Sequence, residues 1–588
     1  MTSRTSITHT GRRFLAAGLC LGLGAGTAAA QTAAAPPEQM AQYQAEAAKT
    51  ILELQPFRRE QTATLASGTA LRLISLNPGI NSWFLLVTGG GEGRGGASYH
   101  LENPDPRDRR IDLSAGPPAA LMIAGTGGTG RCEPWTGNPS ALESARGSGL
   151  PYAPLCGGAL YLRNIVPGSR SNLERVTEFL RGHVWQGEEI VGLVRDNFYK
   201  DSFVESGRQA TGGGDRPAAD GPAPARTDPA LAGTAVVPSD LGLVLAGTPS
   251  GRMTLGAWYA VAGLPGAFAS AIQPKAISAE VRRGPGLTSA LDKVEAGALD
   301  FMVAFDLARF DLGFALGTDH PGLGWSPRPP DAVRKGGLPG PDGVGSAAPL
   351  VTIGMVSPAL TGRTAAAFAA GFKREHGAFR YGDLATRNRG SHYGFIEQGV
   401  IFSKLQPGLS TLYVLDDGSV GMKTWAAADD RLLPRIRFAR QNGVALLETD
   451  PRTGEGVPGE LVTRWGPGNW SGSAERMLRT LRAGACLLES GGRRFLVYGY
   501  FSTATPSAMA RTFQAYGCRY AMLLDMNALE HTYLALYVPG QGEVHVEHLI
   551  PGMTEVDKTG RDGKLIPRFI GFPDNRDLFY LVRRGDPP

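Results

Sequence analysis

Hydrophobic residues along most of this chain come in runs of about five, separated by glycine, proline and small polar residues. Residues 71–76, 83–87 and 120–124 are such runs in the first third. Phe301–Phe305, Val351–Val356, Gly399–Phe402, Thr411–Leu415, Val444–Leu447 and Arg494–Tyr498 follow in the remainder. Runs this short, bounded by turn formers, predict β-strands. Three stretches have a different period. Met40, Tyr43, Ala47, Ile51 and Leu54 share one helical face and predict helix over 37–66. Leu173, Val176, Phe179, Leu180 and Val184 form a second stripe, with Ser171 or Asn172 as cap, predicting helix over 172–205. Thr505-Pro506 is a helix start, Met509, Phe513 and Tyr516 lie on one face, and Gly517 ends the helix. A mostly apolar strand from Arg519 to Leu524 comes next and closes in Asp525-Met526-Asn527. A carboxylate where a buried strand leaves its sheet suits chemistry; it also suits capping of the next turn.

The first thirty residues have their own pattern. Arg4, Arg12 and Arg13 precede an apolar stretch from Phe14 to Gly26, and Ala28-Ala29-Ala30 lies before Gln31. That is the layout of a cleavable secretory signal, with an apolar stretch too short to span a bilayer. Arg12-Arg13 followed by Phe-Leu leaves twin-arginine export open beside the general route, and Cys20 sits in a poor context for lipidation. The mature protein is expected in the periplasm or secreted, with no transmembrane segment after cleavage. Residues 206–236 and 328–348 are short of large apolar groups; the first reads as a linker and the second as a long loop. The organisation expected is a signal peptide over 1–30, a helical lead-in over 31–69, a β-rich domain with C-terminal helices over 70–205, a linker over 206–236 and a second domain over 237–588.

Charge changes the picture only by exclusion. The chain has 59 basic and 54 acidic residues, and losing the three signal arginines takes +5 to +2, so nothing argues for nucleic acid as a partner. Glycine (81) and proline (42) are plentiful and 19% of residues are charged, which favours strands and turns over long helices. Cys132, Cys156, Cys486 and Cys518 remain after cleavage. In an oxidising compartment they suggest two disulfides with three possible connectivities, of which Cys132–Cys156 and Cys486–Cys518 keep each bridge within one expected domain.

Several familiar motifs fail on context. Gly125 to Gly130 matches GxGxxG, but Cys132, Pro134 and Trp135 follow where an amphipathic helix is needed, so it reads as a turn. Gly89 to Gly96 lacks the Lys-Ser/Thr of a phosphate-binding loop. No GxSxG or HExxH occurs. His545 and His548, three apart in an expected strand, face opposite sides and make a poor metal pair. No metal-ligand set emerges, and cofactor use is left unknown.

A series of turns and strands does carry a pattern. His376-Gly377-Ala378-Phe379 is followed by Asp417-Gly418 after Tyr413–Leu415, by Asn442-Gly443 before Val444–Leu447, by Arg482-Ala483-Gly484-Ala485, and by the Thr505 helix and the strand ending Leu524-Asp525. In order and spacing this resembles the phosphodiester glycosidase family over about 250 residues from roughly 295 to 550. There an Asn-Gly-Gly-Phe turn, an Asp-Gly hairpin, an Arg-Thr-Ala strand, and a helix and strand ending Leu-Asp-Gly-Gly-Gly-Ser occur in that order. The resemblance implies an α+β architecture, a mixed α/β C-terminal domain behind the β-rich N-terminal one. It also implies cleavage of the bond between a sugar C1 and a phosphodiester oxygen, with a carbohydrate or sugar-phosphate ligand. Two departures stand out: His376 replaces the family's Asn, and Met526-Asn527-Ala528 replaces the glycine triplet that lets backbone N–H groups approach a ligand.

By that resemblance the catalytic candidates are Asp525, to stabilise or attack C1 or to activate water, Arg482, to grip the leaving phosphate through paired hydrogen bonds, and His376, to donate or move a proton. Asn527, Glu530 and His531 are candidates for substrate binding. The bland alternatives are an ion pair for Arg482, a turn histidine for His376 and a surface loop for Glu530 and His531. A different class of protein also fits: a non-catalytic envelope protein that binds glycan, with Trp465 and Trp470 stacking on sugar rings. The export reading has a direct check. Intact mass or N-terminal sequencing of protein recovered outside the cytoplasm is expected to begin at Gln31; an intact Met1 terminus there removes it.

Overall fold

Strand Trp83–Thr88 is apolar at every position but its last, and in an antiparallel sheet that demands cover on both faces. Both faces are covered. Phe84 and Leu86 join a small core with Leu71, Leu73, Leu101 and Leu162, while Trp83, Leu85 and Val87 face the main core. The computed structural model describes residues 50–89, 96–172, 174–176, 179, 202–204, 207–322, 346–373, 393–463, 477–540 and 544–585. The signal segment, His376, Trp465, Trp470, the 328–345 stretch and most of 180–205 lie outside the described residues.

The first six-stranded sheet runs in the order 59–64, 70–75, 83–88, 97–102, 160–163, 152–155. A three-stranded sheet (110–114, 120–125, 128–132) and the helix Ala141–Gly147 add Ile111, Leu113, Leu121 and Leu142 to the small core. Gly125 to Gly130 spans the hairpin between the last two of those strands. Cys132–Cys156 and Cys486–Cys518 are both disulfide-bonded, with Cα separations of 5.7 and 5.9 Å.

The main sheet has eight strands in the order 258–260, 267–272, 300–306, 493–504, 480–490, 518–526, 445–449, 456–458. Helix Pro506–Ala515 lies on it. Thr505 caps it by accepting from the Ala508 N–H, Pro506 occupies the first turn, and Gly517 follows at φ +82°. The helix sinks close because glycines pave the sheet beneath it. A Cβ on Gly484 would lie 2.9 Å from Phe513 and 3.0 Å from Met509, and one on Gly499 would lie 2.9 Å from Phe513. All ten helical residues are buried as a result.

Two five-stranded sheets complete the core. In one, Leu578–Arg583 lies between Phe310–Ala315 and Thr364–Ala369, with Leu534–Pro539 and Val544–His548 beyond. In the other, Ile436–Gln441 lies between Phe395–Glu397 and Ser410–Leu415, and Asp417-Gly418 turns the hairpin to Val420–Thr424 with Gly418 at φ +83°.

The α+β expectation is corrected by this arrangement. Among the described residues every named strand pair is antiparallel, strands dominate, and no mixed α/β domain is formed. Three connections in the main sheet are short turns, 258–260 to 267–272, 445–449 to 456–458 and 480–490 to 493–504. Although helix Pro506–Ala515 links 493–504 to 518–526, both of those strands pair antiparallel with 480–490 between them. Between residues 50 and 66 only Ile51–Leu54 is helical, under a Thr50–Glu53 capping box, and Arg59–Thr64 runs as an edge strand of the first sheet. Among the described residues no helix is long and apolar enough to cross a membrane.

One core position generates a pH-dependent expectation. Asp300 opens strand 300–306, is fully buried and has no salt bridge among the described residues. Burial pushes its carboxyl well above the usual range, and the nearby Ser502 backbone only partly opposes that. The folded state therefore keeps a proton that the unfolded chain gives up above the ordinary aspartate value, so stability falls as pH rises past that value. Asp300→Asn is expected to leave stability near pH 4 unchanged and to raise it at pH 7, read by thermal unfolding at the two pH values; equal curves at pH 7 contradict this.

Candidate functional site

Asp525 is the second-last residue of strand Cys518–Met526, and only 4% of it is exposed. Its Oδ1 accepts from the Met526 N–H at 2.8 Å, and its Oδ2 accepts from Nη1 of Arg576 at 2.8 Å. Arg576 comes from Asp574-Asn575-Arg576-Asp577, four buried polar residues immediately before the apolar strand Leu578–Arg583. Its Nη2 donates to Glu174 at 3.1 Å. Glu174 also takes Nζ of Lys373 at 2.5 Å, Lys373 reaches Asp319 at 3.0 Å, and Asp319 accepts from the half-exposed Arg170 at 2.6 Å. Asn575 ties the middle together, donating from Nδ2 toward both Glu174 and Asp319. Charges alternate along this path from a buried carboxylate to a guanidinium near solvent.

Burial alone would neutralise these groups, so their pKa directions identify the stronger effect. For Glu174, desolvation is outweighed by Arg576 and then Lys373, which hold the carboxyl well below the ordinary value. For Lys373, burial and Arg576 act against the charge, but Glu174 and Asp319 win and the ammonium is raised. Arg576 is raised for the same reason, with Glu174 and Asp525 overcoming desolvation.

Glu530 and His531 stand beside this path. Burial opposes ionisation of Glu530, yet the hydrogen bond and charge of His531, then Arg576 and Ser171, hold it down at about 2. His531 points Nδ1 at the Met526 carbonyl (2.7 Å) and Nε2 at Glu530 (3.2 Å). Both partners are acceptors, so both bonds are complete only when the ring carries two protons. Arg568 donates to the Glu530 carbonyl at 2.7 Å and forms a two-bonded pair with Asp574, which fixes the loop against the Arg576 segment.

The remaining candidates go elsewhere. Arg482 is fully buried and donates to the carbonyls of Ala504 (2.8 Å) and Leu478 (2.9 Å) and to Sδ of Met526 (3.0 Å). Arg482 pairs with Met526 across the sheet, so the pleat turns Asp525 to the other face. Arg576 occupies the place beside Asp525 that was expected for Arg482. Asn527 sits at φ +80°, a left-handed conformation that asparagine tolerates, in the stretch where the family pattern has glycines. Its side chain accepts from Thr480 at 3.1 Å. His548 is buried against Asp557 (2.8 Å), and His545 on the opposite face is exposed. His376 lies outside the described residues. Glu174, Asp319, Lys373 and Arg576 were not candidates from the sequence, although the polar quartet 574–577 abutting an apolar strand is the same kind of signal that marked Asp525.

No family model matches this chain, and no curated protein matches it. Among solved structures, the zebrafish N-acetylglucosamine-1-phosphodiester alpha-N-acetylglucosaminidase catalytic domain, auto-inhibited by its pro-peptide, aligns with a TM-score of 0.28 and 11% identity. The alignment covers 55% of this chain and 85% of that one. Such a likeness is a distant relationship at most and assigns this chain neither fold nor activity.

The cluster's contribution to stability is testable without knowing its ligand. Arg576→Met leaves Asp525 and Glu174 short of a buried partner and is expected to cost about 3–5 kcal/mol in denaturant unfolding at pH 7. The deficit is expected to narrow in acid as the stranded carboxylates protonate. A loss under about 1 kcal/mol at pH 7 contradicts the pairing.

Proposed function

We propose that this chain is an exported hydrolase acting on a sugar-1-phosphodiester or a related envelope glycan, with Asp525, Arg576, Lys373 and His531 as its working groups. The observation that supports the reading most is convergence. Segments around 174, 319, 373, 525, 530 and 576, distant in sequence, deliver four carboxylates, two buried cations and a histidine into one cluster. At its edge the side chains of Asp319, Arg170 and His531 are partly exposed. The two disulfides suit an oxidising compartment.

The chemistry follows from the charges. Phosphate is a good leaving group, so the bond to C1 breaks with little acid assistance, and the demand falls on charge complementarity. Asp525 is the carboxylate that would stabilise positive charge at C1 or attack it. Arg576 and Lys373 would hold the departing phosphate, which must compete with Glu174 for the same donors. His531, when doubly protonated, has a proton to give to a leaving oxygen. Arg482 is given a structural role instead, tying the ends of three strands.

A second reading draws on a different observation: every cation of the cluster already has a carboxylate partner within the chain, as in a charge-balanced binding surface. On that reading the protein holds an envelope glycan without cleaving it.

Turnover separates the two. With a methyl diester of an N-acetylhexosamine-1-phosphate, wild-type protein is expected to release free sugar. Asp525→Asn is expected to lower kcat by about 100-fold or more, and Glu174→Gln to lower KM by freeing Arg576 and Lys373. Binding of the diester by calorimetry without turnover selects the glycan-binding reading, and wild-type kcat in Asp525→Asn discards the role given to that residue.

A further inference from the structure

We infer that Arg440 and Asn442 are positioning residues for the charged cluster, setting the spacing of the three chain segments that deliver Asp525, Arg576 and Lys373. The inference rests on that cluster being the working site. Both side chains are fully buried, at and just after the end of strand Ile436–Gln441. The bonds described for them reach the immediate neighbours of the cluster residues. Asn442 Nδ2 donates to the carbonyls of Leu523 (2.7 Å) and Leu524 (2.6 Å), the two residues before Asp525. Arg440 Nε donates to Oδ2 of Asp577, the residue after Arg576, at 3.2 Å, and its Nη2 lies 3.1 Å from the same oxygen as an ion pair. The backbone of Phe372, the residue before Lys373, is held from both: its N–H donates to Asn442 Oδ1 (3.2 Å) and its carbonyl accepts from Arg440 Nη2 (2.6 Å).

The two are also joined to each other, Arg440 Nη1 donating to Asn442 Oδ1 at 2.9 Å. The aromatic rings of Phe395 and Tyr393 lie 5.2 and 5.4 Å from the Arg440 guanidinium and limit its movement. Asp577 is anchored a second time by the Gly317 N–H (2.9 Å) and by Nδ1 of His320 (2.6 Å). Gly371 sits at φ +139°, and a Cβ there would lie 2.7 Å from Asn442 Oδ1, so the approach of the Lys373 segment to this hub requires a glycine. A hub that touches the neighbour of three charged groups controls their mutual distances while leaving the groups themselves to a ligand.

The test uses full-length mature protein carrying Asn442→Ala or Arg440→Lys, assayed on the same methyl diester at a temperature where each variant is fully folded. Displacing reacting groups by about an ångström costs rate more than binding, so kcat is expected to fall roughly 10- to 100-fold with KM changed less than about threefold. Wild-type kcat in both variants overturns the inference. Should Asn442→Ala not fold, Asn442→Ser carries the same readouts. Should wild-type protein not turn over the diester, the functional reading fails by itself, and crystal structures of the variants decide the hub. An Asp525–Arg576 contact opened from 2.8 Å to beyond about 4 Å supports it, and an unchanged contact overturns it.

Discussion

A guanidinium with two carboxylates on it, all three nearly out of reach of water, is the interaction around which the buried charged cluster of this molecule is organised. Arg576 bridges Asp525 and Glu174, and each of the three would be costly to bury alone. Such a bridge holds only if the partners arrive at hydrogen-bonding distance, so the polypeptide around it must be rigid. The rigidity is visible in the backbone supports: the Met526 N–H on Asp525, the Asp574–Arg568 pair beside Arg576, and the hub of Arg440 and Asn442 behind both. The polar interior is thus a consequence of one ion triad that needs its surroundings fixed.

Much of the strand content was legible because the signal is local. A run of five apolar residues between glycines needs no knowledge of its partners, and the helix over 506–515 was marked at both ends by Thr505-Pro506 and Gly517. The fold class was not legible. Short apolar runs look alike whether hairpins or helical crossovers join them, and that choice separates an antiparallel fold from an α/β one. The apolar spacing before residue 66 misled for a related reason, since Arg59–Thr64 is half-exposed edge strand whose pattern is too weak to override a helical period upstream.

The site divides along the same line. Asp525 was visible from its place at the end of a buried strand, and Glu530 and His531 from their nearness in sequence to it. Arg482 was visible too, but register decides its neighbours, and its pairing with Met526 turns it to the face away from Asp525. The side chains that gather beside Asp525, Arg576 directly and Glu174 and Lys373 beyond it, come from segments up to 402 residues apart and meet through tertiary packing. No spacing rule reaches that far; only the polar quartet at 574–577 offered a hint.

The position of Leu578–Arg583 between two strands that precede it by more than two hundred residues sets the order of assembly. That sheet stays split until residues 578–583 are in place, and Arg576 enters with the closing strand. A chain synthesised only as far as residue 550 therefore carries Asp525 and Glu174 without the cation that joins them. The charged centre comes into existence only when that strand closes the sheet, bringing Arg576 to the two carboxylates that await it.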